Sequence, residues 1–247
     1  MPAPRICLLD IETAPNLGHV WGMWEQDVID VERDWYMLSF AYKWLGEAKI
    51  HVRALPDYKK FKTDKHDDRE LVRDLWNVFD EANVIIAHNG DRFDIKKSNA
   101  RFIVHGLKPP SPFVSVDPLK IARKHFKFDS NRLDDLGRYL GVGRKIAHTG
   151  KKLWLGCVEG DERSWRTMRR YNRHDVELLE RVYTRLRGWA TTHPDLSIYT
   201  RSHCCPSCQS ARITQQGVKL TKTGHRQQYK CLDCGSWHSG TKHIRDV

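Results

Sequence analysis

Five of the seven cysteines stand in the last 44 of 247 residues, and four of them form two Cys-x2-Cys hooks, Cys205–Cys208 and Cys231–Cys234, with 22 residues between. No other feature restricts the folding of this chain as much. A segment so short buries too little apolar surface to hold itself together. In a reducing compartment, paired hooks at this spacing read as metal ligands rather than a disulfide framework. Four thiolates suit a closed, tetrahedral, structural Zn²⁺ site. Binding energy on the order of 10 kcal/mol would supply the stability that the segment lacks. Cys204 is left as a spare, and His203 and His238 rank behind the thiols.

The hooks also divide the chain. Upstream of them, apolar residues recur at helical spacing from Trp165 through Met168, Tyr171, Leu178, Val182 and Leu186 to Trp189. Gly188 and Thr191-Thr192-His193-Pro194 break that pattern. A first domain is therefore expected at residues 1–196 and a second at 201–247. The second carries eight Lys and Arg against two Asp and Glu, and the whole chain has a formal charge of +11. That balance favours a polyanionic partner, nucleic acid above all. The strongest apolar run, Val84-Ile85-Ile86-Ala87, falls far short of the roughly 18–20 residues that span a bilayer. No membrane association is expected. Asp10 and Glu12 arrive before any signal-like stretch develops, so the expected location is cytoplasmic.

Residues 5–13 alternate like a strand, and 37–44 and 50–55 flank Gly46 as a hairpin. Residues 68–82 are amphipathic and lead into a buried strand at 84–88. A helix is expected from the Asn89-Gly90 turn to Ile103, and a short strand at 114–116. Ser130 reads as the N-cap of a helix carrying Leu133, Leu136 and Leu140, stopped by Gly141 and Gly143. An antiparallel start followed by alternating helices and strands predicts an α/β domain, a mixed sheet flanked by helices.

Three acidic segments lie on these elements. Strand alternation places Ile6, Leu8, Asp10 and Glu12 on one face, with the last two Cα atoms about 6.6 Å apart, close enough to converge on one cation. His88-Asn89-Gly90-Asp91-Arg92-Phe93-Asp94 follows the buried strand, where open α/β sheets bind ligands. Asp94 there serves equally as a helix cap. On the long helix, Tyr171 and Asp175 share a face, and Asp175 falls in a core-facing slot. A buried carboxylate needs a metal ion or a cationic partner such as arginine.

In order and context these segments resemble the three exonuclease motifs of the DEDD superfamily of 3′–5′ exonucleases, which have a ribonuclease H-like fold. Asp10-Ile11-Glu12-Thr13 matches the first, Asn89 through Phe93-Asp94 the second, and Tyr171-x3-Asp175 the third in its tyrosine form. The histidine form wants His at position 170, which is Arg. The resemblance spans roughly residues 5–190 and is closest to the proofreading domains of family B DNA polymerases. Val116-Asp117-Pro118-Leu119-Lys120 and Ser130-Asn131-Arg132-Leu133-Asp134-Asp135-Leu136 also look like stretches in those relatives.

The resemblance implies that Asp10, Glu12, Asp94 and Asp175 hold two Mg²⁺ or Mn²⁺ ions about 4 Å apart. It implies that Tyr171 orients the attacking water, and that Thr13, Asn89 and Phe93 line the pocket for the terminal nucleotide. His174 is read as a solvated or core histidine and Asp117 as structural. The cysteine segment resembles a zinc ribbon of DNA-handling proteins, with Lys219, Lys222, Arg226 and Lys230 around it and Tyr229 and Trp237 available to stack on bases. The function so implied is exonucleolysis, DNA favoured and RNA possible. The alternatives are an exoribonuclease of the same superfamily, or a nucleic-acid-binding protein that no longer catalyses.

Overall fold

A computed structural model of the chain describes residues 4–24, 27–199, 203–222 and 224–244. Residue 201, where the second module was expected to begin, and the last three residues lie outside the described residues.

In chain order the elements are β1 (Ile6–Thr13), β2 (Leu17–His19), β3 (Asp30–Arg33), β4 (Met37–Trp44), β5 (Ile50–Ala54), α1 (Arg69–Glu81), β6 (Val84–Ile86), α2 (Asp94–Val104), β7 (Val114–Val116), α3 (Pro118–His125), α4 (Leu133–Tyr139), α5 (Lys151–Glu159), α6 (Glu162–Leu186), β8 (Ile213–Thr221), β9 (Gly224–Cys231) and β10 (Trp237–Ile244). Five strands form one mixed sheet in the order β5-β4-β1-β6-β7. It is antiparallel across β5, β4 and β1 and parallel across β1, β6 and β7.

The central strand β1 is apolar on both faces as far as Ile11, as an interior strand must be. Cys7, Leu9 and Ile11 pack with Leu71, Leu75 and Phe79 of α1, Phe102 of α2 and Leu153 of α5. Ile6 and Leu8 pack on the other face with Ile121 of α3, Leu136 of α4 and Val176, Leu179 and Val182 of α6. This is a mixed sheet with helices on both sides.

Several local expectations change. Ser130 does not cap α4: Arg132 occupies the N-cap position with no side-chain bond, and Ser130 Oγ accepts the Arg132 N–H. Asp117 and Asp161 cap α3 and α6, accepting from the N–H groups of Leu119 and Ser164. Gly217, expected at a turn, sits inside β8 with φ 66°, at the irregularity between Gln215 and Val218. The β2–β3 hairpin, α3 and α5 were not anticipated, because each is short and lacks sustained periodicity. Among the described residues, no helix is long and apolar enough to cross a membrane.

Candidate active site

Alternation along β1 sends Asp10 and Glu12 to the face that Ile6 and Leu8 share with α6. The parallel pairing of β1 with β6 ends at Leu8 and Ile86, so the acidic half of the strand runs past its neighbour. The carboxyl ends of parallel strands are open to ligands for this reason. From the opposite side α6 brings Tyr171, Asn172 and Asp175, all buried. One carboxylate oxygen from each of Asp10, Glu12 and Asp175 lies within 4.8 Å of the other two. Asp94, the first residue of α2, stands beside this trio but outside it, its Oδ1 accepting the Ile11 N–H at 3.1 Å.

Three residues that no motif had assigned complete the site. Lys145 Nζ donates to Asp175 Oδ2 at 2.5 Å and to the Tyr171 hydroxyl at 2.9 Å. The cationic partner of Asp175 is thus a lysine, not an arginine. Asn172 Nδ2 donates to Asp10 Oδ2 at 2.5 Å and to the Asp10 carbonyl at 3.1 Å, while its own Oδ1 accepts from Ser39 Oγ at 3.1 Å. Trp154 Nε1 donates to Glu12 Oε2 at 3.0 Å. Asn172 was visible inside the third motif, but its contact with Asp10 crosses 162 positions of sequence. Lys145 lies in a connection without periodicity, which offers no signal.

Burial raises all four carboxyl groups. Glu12 rises to about 8, through burial and then the charge of Asp175, and Asp94 to about 7, opposed by the Ile11 N–H bond. Asp10 rises well above the ordinary range through burial and then Asp175 and Glu12. Asp175 rises through burial, although Lys145 opposes the shift. Burial lowers the Lys145 ammonium, but Asp175 and Asp10 outweigh it, so that lysine is held charged. Asp175 Oδ1 is buried with no hydrogen-bond partner, an orphan acceptor among acids. Oxygen donors crowded and kept from ionising freely are what a hard divalent cation relieves.

Two clefts flank the trio. Thr13 lines one of about 740 Å³ with Trp35, Lys97, His148, Lys151 and Trp154 among others. Asn89 lines the other, about 790 Å³, with Arg92, Arg123, Asn131, Arg132 and Lys145. The residues carried over for the terminal nucleotide therefore do not share one cavity. Phe93, 36% exposed, is the N-cap of α2. Asn89 adopts φ 63°, a left-handed conformation that asparagine tolerates, and its N–H is accepted by Asp117 Oδ1. Asp117 so anchors both a cap and this loop. His174 Nε2 donates to the Arg144 carbonyl at 2.7 Å and takes no part in the trio.

In the C-terminal sheet, of order β10-β9-β8, the Sγ atoms of Cys205, Cys208, Cys231 and Cys234 lie within 4.8 Å of one another. The pairs Cys205–Cys234 and Cys208–Cys231 are 3.6 Å apart. Sulfurs about 2.3 Å from a tetrahedral zinc would be roughly 3.8 Å apart, so this donor set fits that ion and is consistent with a zinc ribbon. Cys204, His203 and His238 are not in the group.

The family model described as the RNase_H superfamily matches residues 35–187, which include Asp94, Tyr171 and Asp175 but begin beyond Asp10 and Glu12. Among solved structures, the family B DNA polymerase from the hyperthermophilic archaeon Pyrobaculum calidifontis is similar at 18% identity and a TM-score of 0.55, over 74% of this chain and 24% of that one. The chain thus spans about a quarter of the polymerase's length, and the likeness is one of fold. No curated protein matches.

Proposed function

The chain belongs to the RNase_H superfamily, and from that premise we propose that it is a metal-dependent 3′–5′ exonuclease. Membership supports a nuclease-type function and a nucleic-acid substrate. The finer reading is carried by the convergence of Asp10, Glu12 and Asp175 with Tyr171 at the carboxyl end of β1. DNA is the favoured substrate, in keeping with the polymerase whose fold this chain shares. We assign residues 1–196 to the nuclease domain and 201–247 to a zinc ribbon that helps grip the strand.

Asp10, Glu12, Asp94 and Asp175 would hold two Mg²⁺ or Mn²⁺ ions, and the orphaned Asp175 Oδ1 is a ready ligand. When bound, such ions supply hydroxide near neutral pH and offset charge on the phosphodiester. The chain's own residues do the rest. Asn172 and Trp154 fix the carboxylates of Asp10 and Glu12. Lys145 offsets part of the negative charge and anchors the Tyr171 hydroxyl, which orients the attacking water. Thr13 and Phe93 stand on one side for the terminal nucleotide, and Asn89 on the other with the arginine-lined cleft. Attack at phosphorus forms a new P–O bond and breaks the bond to the 3′ oxygen, releasing a nucleoside 5′-monophosphate.

The test is incubation of 5′-labelled DNA and RNA single strands with Mg²⁺ or Mn²⁺. Progressive shortening from the 3′ end is expected, lost in Asp10→Ala. Intact strands that stay bound would leave a non-catalytic binding protein, and RNA-only shortening an exoribonuclease.

A further inference from the structure

The β2–β3 hairpin leaves β1 directly after the acidic motif, and its roots, Thr13, Asn16 and Trp35, line the same cleft as Trp154, whose indole bonds Glu12. It is the most apolar exposed surface on this side of the molecule: Trp21 is 86% exposed and Met23 85%, with Val20, Val28 and Ile29 around half exposed. Exposed apolar clusters of this kind mark interaction sites. Its charge is opposite to that of the chain, since residues 17–34 hold five acids and one arginine within a protein of net +11. Such a surface repels phosphates. It does not repel base faces, which are flat, uncharged and attracted to indole rings. Cations for the phosphates lie below, where Lys97 and Lys151 line the cleft and Lys97 Nζ sits 3.6 Å from the Trp35 ring centroid.

We propose that this hairpin is a stacking surface for unpaired bases next to the 3′ end, which makes single-stranded or frayed nucleic acid the substrate class. The inference rests on the exonuclease reading above. Paired bases in a duplex are already stacked and present only edges and phosphates, so the hairpin gains nothing from them.

The test measures binding of fluorescein-labelled single strands and blunt duplexes in an Asp10→Ala background, so that the strand is not consumed. The native hairpin is compared with Trp21→Ser/Met23→Ser and with Trp21→Phe. Stacking is worth about 1–3 kcal/mol per base, so the double substitution should weaken single-strand binding roughly tenfold, with duplex binding unchanged. The loss should be the same at low and high salt, whereas phosphate contacts fade as salt rises. Trp21→Phe should restore most of the affinity, and circular dichroism should show both variants folded. Equal binding by all three proteins overturns the proposal, as does a difference that vanishes with salt, or hairpin-dependent self-association in sedimentation. Strand shortening in the Asp10 background-free proteins separates the two readings. Shortening without a hairpin effect on binding sinks this inference alone; a hairpin effect without shortening sinks the exonuclease alone.

Discussion

Asn172 is fully buried between β1 and β4, and its amide has a definite orientation because Ser39 Oγ donates to one end while the other donates to Asp10. Removing such a support leaves the carboxylate free to rotate and the serine without its acceptor. Groups of this kind typically govern metal affinity by 10–100-fold. Asn172→Ala should therefore weaken Mn²⁺ binding by about that factor, read by electron paramagnetic resonance of free Mn²⁺, beyond any fall in melting temperature. The carboxyl groups give a second outcome at this scale. With Glu12 raised to about 8 and Asp94 to about 7, the metal-free fold retains protons that the unfolded chain has released. Their contribution is present below the unfolded values near 4 and is lost as pH rises through the folded ones. The melting temperature of metal-free protein should fall between about pH 5 and pH 8, less steeply in Glu12→Gln, and Mn²⁺ should reverse the fall because it binds the ionised forms.

At the level of elements, legibility followed length. α6, with 25 residues and an unbroken apolar stripe, could be read from spacing to within a few positions, and so could β1, whose alternation runs through eight residues. α1 was read at 68–82 and runs from Arg69 to Glu81. The shorter pieces were not legible. α3 has eight residues and α5 nine, each with only a turn or two in which a stripe can repeat. α4 was found, but its cap was misjudged: Ser130 accepts from the chain two residues on and turns the loop instead of closing the helix. The loop at Asn89 shows a different limit. Asparagine and glycine together signal a turn, but only the Asp117 bond, 28 positions away, fixes its left-handed residue in place.

Across the whole molecule, the cysteine module is seated on the end of the helix that carries Tyr171 and Asp175. The Leu196 N–H is accepted by the Pro206 carbonyl, and Gln209 Nε2 donates to the Leu196 carbonyl. Gly188 lies so close to the second hook that a Cβ there would stand 2.1 Å from the Cys234 carbonyl oxygen, a backbone atom that cannot step aside. Overpacking of this kind costs about 1–3 kcal/mol. Gly188→Val should therefore undock the module, seen as faster proteolysis between residues 190 and 203 while the nuclease domain melts as before. In the sequence Gly188 read only as a helix breaker.

The chain by itself determined the periodic elements, the two cysteine hooks and the residue types able to hold metal, because each is written in local spacing. Tertiary structure alone decided which acids converge, that Asp94 stays at the margin of the trio, and that Lys145, Asn172 and Trp154 support it. Those contacts join residues 30 to 162 positions apart through the crossing of a sheet and a helix, and no local pattern encodes where two distant surfaces meet.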